Sequence, residues 1–206
     1  SGNLARIMVL AVYAMGYNLL FGYTGLLSLG HALFFSSGMY GLGLAMYHMD
    51  FAVPSGILMG LLAALITSTV VGFLALRTSG VAFMIVTLMF AQAGYLTVLY
   101  FGEFTRGDEG FVLQQSERVI GSLDLTSPAG RYFAALLLFA ICFFLIMYIV
   151  RSGFGLALIA IRENEERAKM LGYDVVTLKL KAVVISGVMS GAAGAAYALL
   201  FGYAGA

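Results

Sequence analysis

The feature that most constrains this chain is a succession of apolar runs, each close to the length a helix needs to cross a lipid bilayer. A hydrocarbon core about 30 Å thick takes about 20 residues at about 1.5 Å of rise per residue. Six windows meet or approach that length: Ile7 to Phe21, Leu26 to Tyr47, Pro54 to Leu76, Val81 to Phe101, Tyr132 to Val150 and Ala182 to Tyr203. None alternates with period two as a barrel strand does, and in lipid a helix is the element that satisfies its own backbone hydrogen bonds. The expected fold class is therefore all-α, a polytopic integral membrane helical bundle with about six spans, in one transmembrane domain over residues 1–206. Only 10% of the residues are charged, against about a quarter in an ordinary soluble domain, which excludes that class. Both prolines, Pro54 and Pro128, stand at span entrances, where a missing N–H has no helical partner to lose. The first run, from Ile7, leads into further long runs without a convincing cleavage context, and is read as a permanent span.

Two polar segments separate the spans. Gly102 to Arg131 carries Glu103, Asp108, Glu109, Glu117 and Asp124 against Arg106, Arg118 and Arg131. Arg151 to Lys181 is the more basic, with Arg151, Arg162, Arg167, Lys169, Lys179 and Lys181. Lys and Arg near span ends favour the cytoplasm, so residues 151–181 are expected inside and residues 102–130 outside. Alternation then puts Arg77 and the Gly22 to Gly25 turn inside, and the His48 to Val53 turn and both chain ends outside. Arg6 fits that rule poorly, which suggests a preceding span beyond this stretch of chain. The glycines are grouped at helical spacing, Gly56 with Gly60 and Gly187 with Gly191, with Ser186, Ser190 and Gly194 nearby and Gly38, Gly41 and Gly43 on the second window. Small residues four apart let membrane helices approach closely, so these groups are expected to pack helices.

Several chemistries are missing. No lysine follows a glycine, so there is no phosphate-binding GxxxxGK[ST] loop. The six windows contain no Asp or Glu, which weighs against a proton- or sodium-coupled carrier. Cys142 is the single cysteine, and a net charge of +1 offers no basic face for nucleic acid. Catalytic candidates reduce to His31, His48, Ser36, Ser37 and Cys142, too few for a nucleophile with an oriented base or a metal cluster. A non-enzymatic membrane protein without cofactor or metal is expected, with His48 interfacial and His31 packed and hydrogen-bonded.

The segment from Ser152 to Lys181 has the most internal organisation. Pairs four apart, Arg162 with Glu166, Glu163 with Arg167 and Glu165 with Lys169, are expected to support a short surface helix. Gly172 can supply a left-handed helix end and Asp174 can cap the next helix. The expectation is a helix, a glycine turn, and a helix that re-enters the membrane.

Three stretches then carry a resemblance. Ala160-Ile161-Arg162-Glu163-Asn164-Glu165 with Arg167-Ala168, Leu171-Gly172 and Lys179-Leu180 resembles the cytoplasmic coupling loop of permease subunits of branched-chain amino-acid ABC importers, the LivM type. Gly22-Tyr23-Thr24-Gly25-Leu26-Leu27-Ser28-Leu29-Gly30-His31-Ala32, with Phe34, Phe35, Gly38 and Tyr40, resembles the hallmark near the start of that family's core. Ser186-Gly187 through Ala192-Ala193-Gly194-Ala195, with Tyr197, is similar to the glycine-rich span after the coupling loop. The stretches occur in the family's order and cover nearly the whole chain. Thr105-Arg106-Gly107-Asp108-Glu109-Gly110 departs from the T-G-G-x-[DN]-G-like turn usual in the outer loop, and leaves the substrate open among branched-chain amino acids, urea, short amides and other amino acids.

The resemblance implies one permease subunit, part of a larger permease, in the bacterial inner membrane. Its implied partners are a second permease subunit, two cytoplasmic ABC ATPase subunits, a periplasmic substrate-binding protein and the surrounding membrane lipid. Arg162, Glu163, Asn164, Glu166, Arg167 and Gly172 are the implied ATPase-coupling residues. For the translocation path the candidates are Ser28, His31, Phe34, Phe35 and Tyr40, because polar groups in a membrane helix must face the bundle or a cavity and bulky rings can form a constriction. The competing expectation is a secondary carrier or channel for a small neutral solute, working without an ATPase.

Overall fold

The structure, a computed structural model, describes residues 2–49, 52–106, 110–112, 119–120, 123–124 and 127–204. Of the acidic segment between the fourth and fifth apolar windows, Asp108, Glu109, Glu117 and Arg118 lie outside the described residues. Helix α1 (Gly2–Asn18) runs directly into a π-helix (Leu19–Tyr23), followed by a non-helical stretch and α2 (Ala32–Met49). Then come α3 (Val53–Ala75), α4 (Val81–Tyr100), the single turn α5 (Gly102–Thr105) and α6 (Pro128–Arg151). Helices α7 (Gly153–Glu163) and α8 (Glu165–Met170) form the basic segment, and α9 (Val175–Phe201) returns through the bundle. Among the described residues, strand pairing is limited to two-residue pairs, Phe111–Val112 with Tyr203–Ala204 and Val119–Ile120 with Leu123–Asp124. The fold is thus an all-α membrane bundle.

Helix boundaries follow local chemistry. Ser127 accepts a hydrogen bond from the Gly130 N–H at 3.0 Å ahead of Pro128, and Pro54 occupies the first turn of α3. Gly202, at φ +72°, ends α9.

Among the described residues five helices are long and apolar enough to cross a membrane, counting α1 with its π-helical extension. The second window, Leu26 to Tyr47, is corrected in two ways. The segment from Leu26 to His31 is not helical, and α2 itself, diluted by Ser36, Ser37, Tyr40, Tyr47, His48 and its glycines, is less apolar than the other five. The reason lies in its surroundings. A helix enclosed by protein needs no lipid-compatible coat, and α2 packs between α3 and α9 with Phe34, Met39, Leu42 and Met46 buried.

Glycine makes that enclosure possible. A Cβ on Gly38 of α2 would lie 2.1 Å from the Gly191 carbonyl oxygen of α9, and one on Gly191 would lie 2.1 Å from Ala64 Cβ of α3. A Cβ on Gly194 would lie 1.9 Å from the Phe35 carbonyl oxygen, and one on Gly60 would lie 2.7 Å from that of Gly38. Backbones at such distances gain dispersion contacts that lipid cannot compete for, because lipid tails are no less apolar than side chains. Around this seam α1 packs on α9 and α6, burying Ala5, Val9 and Val12. Helices α4 and α6 turn large apolar residues outward, among them Met89, Leu96, Leu137 and Phe144, as expected of helices bounded by lipid.

Gly191→Val is expected to force α3 and α9 apart, an overpacking loss of about 1–3 kcal/mol or more. Gly153→Ala, where an added Cβ meets nothing within 4 Å, serves as the control. Thermal unfolding of the detergent-solubilised protein, followed by size-exclusion chromatography, checks the pair, and equal midpoints would show that the seam does not hold the bundle.

Candidate functional site

The non-helical stretch after α1 is fixed by polar contacts from neighbouring elements. Thr24 Oγ1 donates to the Leu19 carbonyl at 3.2 Å, and the Leu29 N–H donates to Thr87 Oγ1 of α4 at 3.2 Å. Gly30 lies so close to α4 that a Cβ there would be 1.9 Å from the Thr87 carbonyl oxygen. These contacts deliver His31 into the bundle with only 2% of its surface exposed. Its Nε2 lies 2.6 Å from Ser190 Oγ and 3.3 Å from Ser186 Oγ, both on α9. Ser186 Oγ also donates to the Gly16 carbonyl of α1 at 2.5 Å, which uses its one proton. Ser186 can therefore serve His31 only as an acceptor, which favours the tautomer carrying its proton on Nε2. One imidazole and two hydroxyls thereby join α1, α9 and the entrance of α2. Ser28 Oγ and His31 Nδ1 are buried without a protein partner among the described residues.

A hydroxyl against an imidazole is also the pairing of a nucleophile and base, but that chemistry needs a third group to orient the base. No Asp or Glu is present in the spans to do so. The arrangement is suited to joining helices.

The remaining path candidates separate into two groups. Phe34, 1% exposed, and Tyr40, 6% exposed, are buried in the core. Phe35 is half-buried and belongs to a continuous column of rings. Its ring lies 5.9 Å from Tyr197 and 5.6 Å from Tyr13, both edge-on; Tyr13 lies 5.4 Å from His31, His31 lies 5.2 Å from Tyr17, and Tyr17 stacks on Phe21 at 6.1 Å. At the other end Tyr197 meets Phe201 at 4.9 Å. The column follows α1 from one end of the bundle to the other, and Tyr13, Tyr17, Phe35, Tyr197 and Phe201 are all half-buried.

The basic segment has the expected helix–turn–helix form with one change. Asn164 is extended (φ −160°, ψ 102°) and breaks the helix between α7 and α8, accepting from the Arg167 N–H at 2.9 Å to cap α8. The break removes the i,i+4 geometry across it, so the expected pairs Arg162 with Glu166 and Glu163 with Arg167 do not form. Arg162 instead meets Glu163 at 3.4 Å, and Lys169 meets Glu165 at 3.4 Å and Glu166 at 3.0 Å. Gly172 turns the chain at φ +87°, and Asp174 caps α9 by accepting from the Thr177 N–H at 3.2 Å. Lys179 of α9 reaches back to Glu165 at 2.6 Å, holding the Glu165 carboxyl below its ordinary value. Arg162 also donates to the Gly22 carbonyl in the π-helix, and its side chain lies across Gly25. Gly22 lies in the last turn of that helix, where carbonyls have no intrahelical partner, and this one is taken by the guanidinium. The basic segment and the stretch leading to His31 are therefore in direct contact.

Sequence reasoning missed the partners that organise these residues. Ser186 and Ser190 read as small packing residues; their spacing of four put both on one face of α9, but nothing in the sequence aimed that face at His31. Thr87 and the Lys179 to Glu165 pair carried no signal, since both join elements far apart along the chain.

The whole chain, residues 1–206, matches the family described as Branched-chain amino acid transport system / permease component. Two curated relatives, each described as high-affinity branched-chain amino acid transport system permease protein LivM, come from Salmonella typhimurium and Escherichia coli. Each is 29% identical over 218 residues, covering 95% of this chain and 51% of the relative. The chain thus spans about half the length of the curated relatives it matches. No solved structure gives a significant match.

Ser190→Ala removes the shorter of the two bonds to His31 and is expected to lower stability by about 0.6–2 kcal/mol, the range for hydrogen bonds between membrane helices. Ser36→Ala removes only a local bond to the Leu33 carbonyl and is expected to change it far less; equal losses in unfolding assays would contradict the helix-joining role of Ser190. The Glu165 to Lys179 pair predicts a pH dependence. Because the folded carboxyl is depressed, its contribution is complete above the ordinary value of 4.5 and is lost as pH falls through the lower folded value. Lys179→Met should make the acid side of the melting-temperature profile shallower, and an unchanged profile would show that the pair adds nothing.

Proposed function

Because the chain belongs to the branched-chain amino acid transport system permease family, we propose that it acts as a permease subunit of an ATP-driven importer in the bacterial inner membrane. In this reading it forms part of the translocation path for branched-chain or related amino acids. It works with a second permease subunit, two cytoplasmic ABC ATPase subunits and a periplasmic binding protein that delivers the solute. The names of the two relatives support the substrate class.

The observation that carries the reading is the contact of Arg162 with the Gly22 carbonyl. ATPases closing against α7 and α8 would act on Glu163, Asn164, Glu166, Arg167 and the Gly172 turn, which are exposed. Arg162 joins that element to the stretch holding Ser28 and His31, and Lys179 joins it to α9. A push at the surface thus bears on the helices that frame the candidate path, with Phe35 facing it and Phe34 and Tyr40 backing it. Alternating access then follows as a population shift between two arrangements, driven by ATPase contacts that differ in strength between them.

Two measurements test this reading. In the assembled transporter, Glu163→Ala with Arg167→Ala is expected to abolish ATP-driven uptake while the subunit remains in the membrane, since truncating interfacial charge partners can lose about 2–5 kcal/mol. Normal uptake by the double variant, or wild-type uptake that needs no ATPase, would refute the coupling role. For orientation, a cysteine replacing exposed Glu103 should react with an impermeant thiol reagent in intact spheroplasts, and one replacing Tyr173 only after lysis; the reverse pattern would invert the arrangement.

A further inference from the structure

In the orientation proposed above Arg6 stands, with Arg106 and Arg131, on the outer side, where Lys and Arg are disfavoured. It is exposed, and its guanidinium carbon lies 4.9 Å above the Phe201 ring centroid and 5.9 Å above that of Tyr197. It makes no ion pair or hydrogen bond among the described residues. Ring faces hold a guanidinium in place without using its N–H donors, so the planar fork that binds a carboxylate in bidentate fashion is left available. The two rings that hold it open the aromatic column, which continues through Phe35 and Tyr13 to His31. A cation held at the end of a row of half-buried aromatic rings suits a solute with a carboxylate at one end and an aliphatic group at the other, because a few placed polar groups orient a ligand that apolar surfaces otherwise only contact.

We infer that Arg6, seated on Phe201 and Tyr197, binds the carboxylate of an amino acid at the outer mouth of the path, with Phe35 and Tyr13 receiving its aliphatic side chain. The inference rests on the reading of function above and adds to it the residue that selects for the carboxylate. It also separates two solute classes: amino acids need Arg6, whereas urea and neutral amides have no group for it.

The test uses the complete transporter with its ATPases and its leucine-loaded binding protein, reconstituted in vesicles. Arg6→Cys is expected to lower leucine uptake about tenfold, the scale of one lost charge-assisted hydrogen bond, with Arg6→Lys intermediate. Treating Arg6→Cys with a cationic methanethiosulfonate should restore part of the uptake, an anionic reagent should not, and leucine delivered by its binding protein should slow the modification. A cation needed only to pack on the rings would be restored by the same reagent but not protected by leucine, so rescue without protection overturns the assignment, as does undiminished uptake by Arg6→Cys. If the wild-type transporter moves a neutral amide and not leucine, or moves neither, the reading of function fails and the assignment fails with it. If it moves leucine and Arg6 proves dispensable, the assignment alone fails.

Discussion

The bundle depends on the absence of side chains along one seam. Where Gly38, Gly191 and Gly194 bring α2 and α9 into backbone contact, a single methyl group would overlap a carbonyl or a neighbouring Cβ. In lipid there is no hydrophobic drive to push helices together, so contact distance decides which helices associate. The polar chemistry follows from it. Ser186 and Ser190 reach His31 because the same stretch of α9, with Gly187 and Gly191 between and beside them, lies against α2. A hydrogen bond between helices requires the helices to be there first, and the glycines put them there.

The sequence disclosed what is set locally. Windows such as Pro54 to Leu76 and Val81 to Phe101 matched α3 and α4 closely, because length and apolarity are properties of a single segment. Gly172 and Asp174 were legible for the same reason, a turn and a cap being decided within a few residues. The segment from Leu26 to Leu29 was not, since apolar residues without a helix look like helix until a partner such as Thr87 is seen to hold the backbone otherwise. Asn164 misled the pairing of charges because its capping competes with continuing the helix, and the outcome depends on where the chain beyond it must go. Contacts between elements, Arg162 with Gly22 and Lys179 with Glu165, were beyond reach from spacing alone.

The π-helix connects these levels. Because the helix ends at Tyr23, the Gly22 carbonyl has no partner further along it, and it is offered to Arg162. Gly22 itself makes room for the Asn18 side chain, whose Oδ1 would lie 2.3 Å from a Cβ at that position. A helix end in the middle of an apolar sequence thus gives a surface element a direct hold on the buried stretch.

Helix α9 has a mechanical consequence of its own. Its 27 residues make a continuous beam about 40 Å long, and its tightest contacts, at Gly187, Gly191 and Gly194, fall near its middle rather than at either end. Such a beam has a fulcrum. Any tilt about those contacts swings the Lys179 end one way and the Tyr197 and Phe201 end the other, so α9 works as a lever whose longer arm is on the Lys179 side.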